Sequence, residues 1–141
     1  MTHASLQILV DNRAEAGLEK EHGLSLWIEA DGRRILFDTG AGNKFESNAR
    51  ILGINVQTAD LLVLSHGHYD HTGGVSSFLG HTRQSHLYCH PSAVLPRYAV
   101  RNGSGTAISM PHESIAAIDK LSKARLHWVQ NSLRLGEHIG L

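Results

Sequence analysis

The residues with the clearest chemical potential lie between His66 and His71, which read His-x-His-x-Asp-His. Four side chains able to ligate a metal fall within six positions. His66 and His68 are two apart, so in an extended segment their imidazoles point the same way and can share one ion. If the chain then turns into a helix, Asp70 and His71 swing to a neighbouring position, where they can hold a second. Two divalent ions about 3.5–4 Å apart can bridge a hydroxide, lower its pKa and clamp the attacked group. Gly67 suits a sharp bend or a close approach of the backbone, and Gly73-Gly74 suits a tight lead into the next helix. Zinc is the leading expectation for a His and carboxylate set, and iron or manganese suit the same ligands.

Asp38 is the second element. It ends an apolar run as Phe37-Asp38-Thr39-Gly40. A carboxylate there can orient the imidazoles of the metal loop from behind, or it can merely hold its own turn together.

The remaining composition narrows the field. Lys plus Arg and Asp plus Glu are 13 each in 141 residues, so the formal net charge is zero. That gives no electrostatic case for nucleic acid or acidic membranes as partners. The lone Cys89 can build neither a disulfide framework nor a cysteine-rich zinc module, and its apolar neighbourhood predicts a buried, inert thiol. No apolar run approaches the roughly 20 residues that span a bilayer. The first residues lack a secretory pattern, so cytoplasm is the expected compartment.

These side chains need elements to place them. Apolar runs predict strands at 5–10, 25–29, 34–37, 61–64, 86–89 and 124–129, with Asp31-Gly32 as a hairpin turn. Leu61 to Leu64 is continuously apolar, which predicts a strand buried on both faces. It runs straight into the metal loop. Helical spacing covers 43–52, with Gly53 as a stop, then 75–79 and the stretch after Pro111 bearing Ile115, Ile118 and Leu121. Residues 102–106 read as a loop. The class is mixed α/β (α+β) in a single domain over 1–141.

Phe-Asp-Thr-Gly followed about thirty residues later by Ser-His-Gly-His-Tyr-Asp-His-Thr-Gly-Gly resembles the N-terminal signature of the metallo-β-lactamase superfamily. Asp11-Asn12, Glu21-His22-Gly23-Leu24-Ser25, Tyr69 and His90-Pro91 resemble the branch related to a dihydropterin ribofuranosyl-aminobenzene phosphate synthase. The resemblance implies an αββα sandwich of two similar halves, of which this chain would be the N-terminal ββα half. It implies His66 and His68 on a first metal, Asp70 and His71 on a second, and Asp38 in support. Asp70 would also orient the bridging water in a base-like role. His22, Tyr69 and His90 are candidate pocket residues.

The function expected is a metal-dependent hydrolase acting on a small-molecule ester, lactone, thioester or phosphodiester through a metal-bound hydroxide. The alternative is a truncated half-fold with weak metal binding and little catalysis. The family's second half supplies further ligands, and none of Glu113, Asp119 and Glu137 sits in a motif that would replace them. A half-sandwich exposes an apolar sheet face, so a homo-oligomer is expected. A non-enzymatic metal-binding module is a third reading, marked by four protein ligands and no exchangeable water.

Overall fold

The computed structural model describes residues 3–141. Strands β1 (Ser5–Val10), β2 (Ser25–Ala30) and β3 (Arg33–Phe37) pair antiparallel. Asp31 and Gly32 connect β2 to β3 with φ of 51° and 70°, the left-handed pair that matches strand twist in a two-residue hairpin. Strands β4 (Leu61–Val63) and β5 (His86–Cys89) then add parallel to β3. Parallel addition requires crossovers, and helices supply them: α1 (Lys44–Ile51) before β4, then α2 (Tyr69–Thr72) and α3 (Val75–His81) before β5.

A separate hairpin follows, β6 (Tyr98–Arg101) with β7 (Ser104–Ala107). Residues 102–106 are therefore not a simple loop. Asn102 and Gly103 form its turn with φ of 50° and 76°. The Gly and Ser content masked an Asn-Gly hairpin signal. Helix α4 (His112–Asp119) leads to β8 (Leu126–Trp128), and the main sheet runs β1-β2-β3-β4-β5-β8.

The pleat sorts side chains to two faces. Register places Trp27, Leu36, Leu62, Leu87 and Leu126 in one cross-strand row. That row packs against Phe45 and Ala49 of α1, Val75 and Phe78 of α3, and Ile118 of α4. Each fully buried Leu or Phe is worth about 1.5–3 kcal/mol against leaving it in water. β4 is buried on both faces, as its unbroken apolar run predicted.

The other face carries Ile28, Ile35, Phe37, Leu61, Val63 and Tyr88, against which Leu135, Ile139 and Leu141 pack. These come from a segment folded back on itself by paired hydrogen bonds between Leu133 and Leu141 (2.9 and 2.8 Å). His138 ties the fold-back to the β2–β3 turn. Its backbone N–H donates to Asp31 Oδ2 (2.7 Å), and its Nδ1 lies 2.9 Å from Oδ1. The cover stops short of β1, where Leu6 and Ile8 remain 58% and 47% exposed.

This is the mixed α/β, ββα arrangement expected: helices on one face of a sheet that is antiparallel at one edge and parallel through its centre. Among the described residues no helix is long and apolar enough to cross a membrane. Cys89 is buried as expected, and burial pushes its thiol to about 11.

Candidate metal centre

The His-rich loop emerges from the C-terminal end of β4. Leu64 still pairs with the sheet through its N–H to Tyr88 O (3.0 Å). Past Ser65 the backbone crosses the 3-10 turn Pro91–Val94 so closely that a Cβ on Gly67 would sit 1.9 Å from Ala93 O. Gly67 thus answers to protein backbone rather than to a ligand. His68 bridges Ser109, Tyr69 donates its N–H to Ile108 O (3.1 Å), and α2 begins. This switch from extended chain to helix gathers the imidazoles. The His66 ring lies 4.4 Å from that of His68, edge on, and 4.2 Å from that of His71. Asp70 Oδ2 stands 3.7 Å from His71 Nε2.

Behind them lies Asp38, whose side chain is 0% exposed. Its φ of 55° is left-handed, a region where Asp and Asn are enriched, and it aims the carboxylate at the loop. Oδ1 accepts from Ser65 N–H (2.8 Å). Oδ2 accepts from Ser65 Oγ (2.6 Å) and from His71 Nδ1 (2.7 Å). Ser65 Oγ also lies 2.8 Å from His66 Nδ1. The serine's one proton goes to the carboxylate, so the serine oxygen accepts from His66 Nδ1–H. One carboxylate therefore fixes the tautomer of two imidazoles, leaving the Nε2 lone pair of each for a metal. Burial, and then the neighbouring rings of His71 and His68, hold His66 below its ordinary pKa, which favours the neutral ring a metal requires.

Thr39 locks the same loop from its other end. Its N–H and Oγ1 both donate to His71 O (2.7 and 3.1 Å), and Gly74 N–H donates back to Oγ1 (3.1 Å). The Asp-Thr-Gly segment holds the metal loop rather than only itself.

The Glu21–Ser25 segment does more than the sequence suggested. Glu21 Oε1 accepts from the N–H groups of Ala41 and Gly42 (2.8 and 3.1 Å). Gly23, at φ 130°, lies against Asp70 O, which a Cβ would approach to 1.9 Å. Leu24 N–H donates to that same oxygen (3.3 Å), and Ser25 Oγ donates to Asp38 O (2.8 Å). His22 reaches Asp70, Nε2 to Oδ2 at 3.2 Å, while its Nδ1 lies 3.0 Å from Asn12 Oδ1. Asn12 was missed as a site residue. In sequence it is marked only as the second residue past β1, and its partner lies ten positions on.

Tyr69 is partly exposed with its ring 6.4 Å from that of His22. His90 does not join the imidazole cluster. Its Nδ1 accepts from Ser92 N–H (3.1 Å) and caps the 3-10 turn, and with Ser65 it borders a shallow depression at the ends of β4 and β5. Among the described residues no three His, Cys, Asp or Glu side chains already close on one point as a finished cage. The donor chemistry nonetheless suits a borderline divalent cation: neighbouring imidazoles with second-sphere partners and an adjoining carboxylate.

The profile of the Metallo-beta-lactamase superfamily matches residues 19–138. Two proteins of Methanocaldococcus jannaschii are each 36% identical to this chain. One, an uncharacterized protein, aligns over 96 residues, 67% of this chain and 37% of its own. The other is named 7,8-dihydropterin-6-methyl-4-(beta-D-ribofuranosyl)-aminobenzene-5'-phosphate synthase and aligns over 78 residues, 51% and 26%. The solved structure of a metal-dependent hydrolase of the beta-lactamase superfamily superposes with a TM-score of 0.70 at 24% identity, a likeness of fold, over 98% of this chain and 47% of that one. The chain thus spans about half of that structure and a smaller share of the curated relatives. With the signature loop, the buried Asp38 behind it and a profile match over most of its length, the chain belongs to the metallo-β-lactamase superfamily.

Proposed function

We propose that this chain carries the metal-gathering half of a hydrolase, with His66 and His68 holding one divalent ion and Asp70 and His71 a second. The observation that carries this reading is the Asp38 relay, which commits the Nδ1 protons of His66 and His71 and leaves both Nε2 atoms as ligands. Bound there, the metal would act as a Lewis acid that polarises the substrate oxygen and acidifies water. Asp70 is the candidate base, its carboxylate placed beside the imidazoles to accept the proton of an attacking water. Asp38 and Ser65 hold the ligands in register, and His22 and Tyr69 border the approach. The substrate class proposed is a small ester, lactone, thioester or phosphodiester. The similarity to the named synthase covers half of this chain and about a quarter of that protein, so it supports a common superfamily chemistry more than any particular substrate.

A second reading, a half-site that binds metal weakly, is supported by the unclosed cage among the described residues. Reconstitution decides between them. The full chain is stripped with chelator and reloaded with zinc, manganese or ferrous iron, then metal content, solution mass and hydrolysis of nitrophenyl esters and diesters are measured. The reading expects retained metal and hydrolysis that His68→Ala abolishes. Metal content no higher than that of His68→Ala would sink it; metal without turnover would leave the half-site.

A further inference from the structure

The loop residue His22 belongs to no strand or helix, yet its hydrogen bonds locate the proton on one ring nitrogen. Asn12 Oδ1 accepts from Gly23 N–H at 3.3 Å, which fixes the amide with its oxygen toward the loop. His22 Nδ1 faces that same oxygen at 3.0 Å. An amide oxygen only accepts, so Nδ1 carries the proton. In the neutral ring Nε2 then holds a lone pair, and it points at Asp70 Oδ2, 3.2 Å away. His71 repeats the pattern. Its Nδ1–H is committed to Asp38, and its Nε2 faces the same Asp70 oxygen at 3.7 Å. With both rings neutral, as metal ligands must be, two imidazole lone pairs and a carboxylate oxygen face one another. Such an arrangement is repulsive until a cation sits in it.

The spacing suits that cation. Nitrogen and oxygen donors about 2.0–2.1 Å from a tetrahedral zinc ion stand about 3.3 Å from one another. The separations of the two ring nitrogens from the Asp70 oxygen, 3.2 and 3.7 Å, bracket this edge. The His22 side chain is 67% exposed, which leaves it room to turn toward that cation. The loop that carries it is seated firmly, because Gly23 lies on Asp70 O and Leu24 N–H bonds to that oxygen.

We propose that His22 is a third protein ligand, with Asp70 and His71, for the second divalent metal, and that Asn12 is the positioning residue that sets its tautomer. This rests on the proposed metal centre and deepens it, because a ligand for the second ion then comes from the N-terminal loop of this same chain.

The test is cobalt(II) titration of the full, metal-stripped chain, followed by visible absorption, whose intensity and position report the ligand set. Asp70→Asn defines the second site as the one it weakens, and His68→Ala defines the first. His22→Ala should weaken the Asp70-dependent site at least tenfold, change its cobalt spectrum and leave the His68-dependent site intact. Asn12→Leu should weaken that same site about 10–100-fold, as loss of a second-sphere partner does. Asn12→Asp, which still accepts from both donors, should restore the wild-type spectrum. Unfolding in chelator checks that each variant remains folded. If His22→Ala leaves the Asp70-dependent affinity and spectrum unchanged, or tightens them, His22 is only an ion-pair partner of Asp70 and the inference fails while the metal centre stands. If the wild-type chain takes up no cobalt, the metal centre itself fails, and this inference with it.

Discussion

Asp38→Asn is the sharpest probe of the relay, because it removes a charge while keeping the shape. The left-handed φ of 55° suits Asn as well as Asp, so the backbone should not resist. The carboxylate accepts three hydrogen bonds from two sides, and an amide has only one accepting atom. If its oxygen faces Ser65 N–H, its NH2 meets the Ser65 hydroxyl and His71 Nδ1–H. His71 then escapes by moving its proton to Nε2, the atom a metal needs. If the amide flips, Ser65 N–H is left facing a donor at a part-buried contact. The second outcome leaves an unpaired donor, worth at most about 1–3 kcal/mol of folding stability. The first costs metal affinity, about 10–100-fold for a second-sphere change, which is about 1.4–2.7 kcal/mol. Urea unfolding in chelator reads the stability term. Competition with a chromophoric zinc chelator reads the affinity term, and imidazole 15N shifts report the tautomer of His71. Wild-type stability together with wild-type affinity in Asp38→Asn would refute the relay.

Three further outcomes follow from the structure. Gly67→Ala must push Ala93 O aside by more than 1 Å from a 1.9 Å approach, so it should cost about 1–3 kcal/mol in urea unfolding and displace both flanking imidazoles. Cys89, buried and raised to about 11, should resist aromatic disulfide reagents in the native protein and react fully once unfolded. His127 is held below its ordinary value by burial and then by His86, whose Nδ1 lies 2.8 Å from His127 Nε2. The unfolded chain therefore binds the extra proton first. Stability should fall as pH drops through about 6.5, the unfolded value, and be flat in this respect above it. His127→Gln should remove part of that slope, read as the difference between the two proteins' unfolding midpoints across pH.

Much of this architecture was legible before any coordinates. Periodicity placed strands β1 to β5 and β8 to within a residue or two at most ends, because each alternates or is continuously apolar. The metal loop was legible because ligand spacing is a local property: His66 and His68 meet through strand geometry, and His71 through a helical turn. What could not be read was long-range pairing. Nothing local says that Asn12 will orient His22 or that Glu21 will clamp the backbone at 41 and 42. Those contacts exist only once the β1–β2 loop closes on itself and on the residues after β3. The 102–106 hairpin was missed for another reason: Gly and Ser speak equally for a loop and for a turn, and only the Asn-Gly pair at its centre discriminates. The ties of His138 to Asp31 bridge 107 positions, a separation no local pattern can signal.

The two coverings of the sheet differ in how they are attached. Helices α1, α3 and α4 are threaded between strands, so each is tethered to the sheet by chain at both ends. The fold-back of residues 133–141 is anchored by its own short ladder and by Asp31 at the hairpin tip. It can peel away while every strand keeps its neighbours. Its opening is expected to be a local event with a smaller free energy than global unfolding. The two faces of one sheet would then fall in different cooperative units, with the metal loop, fastened from β3 and the Glu21 loop, in neither alone.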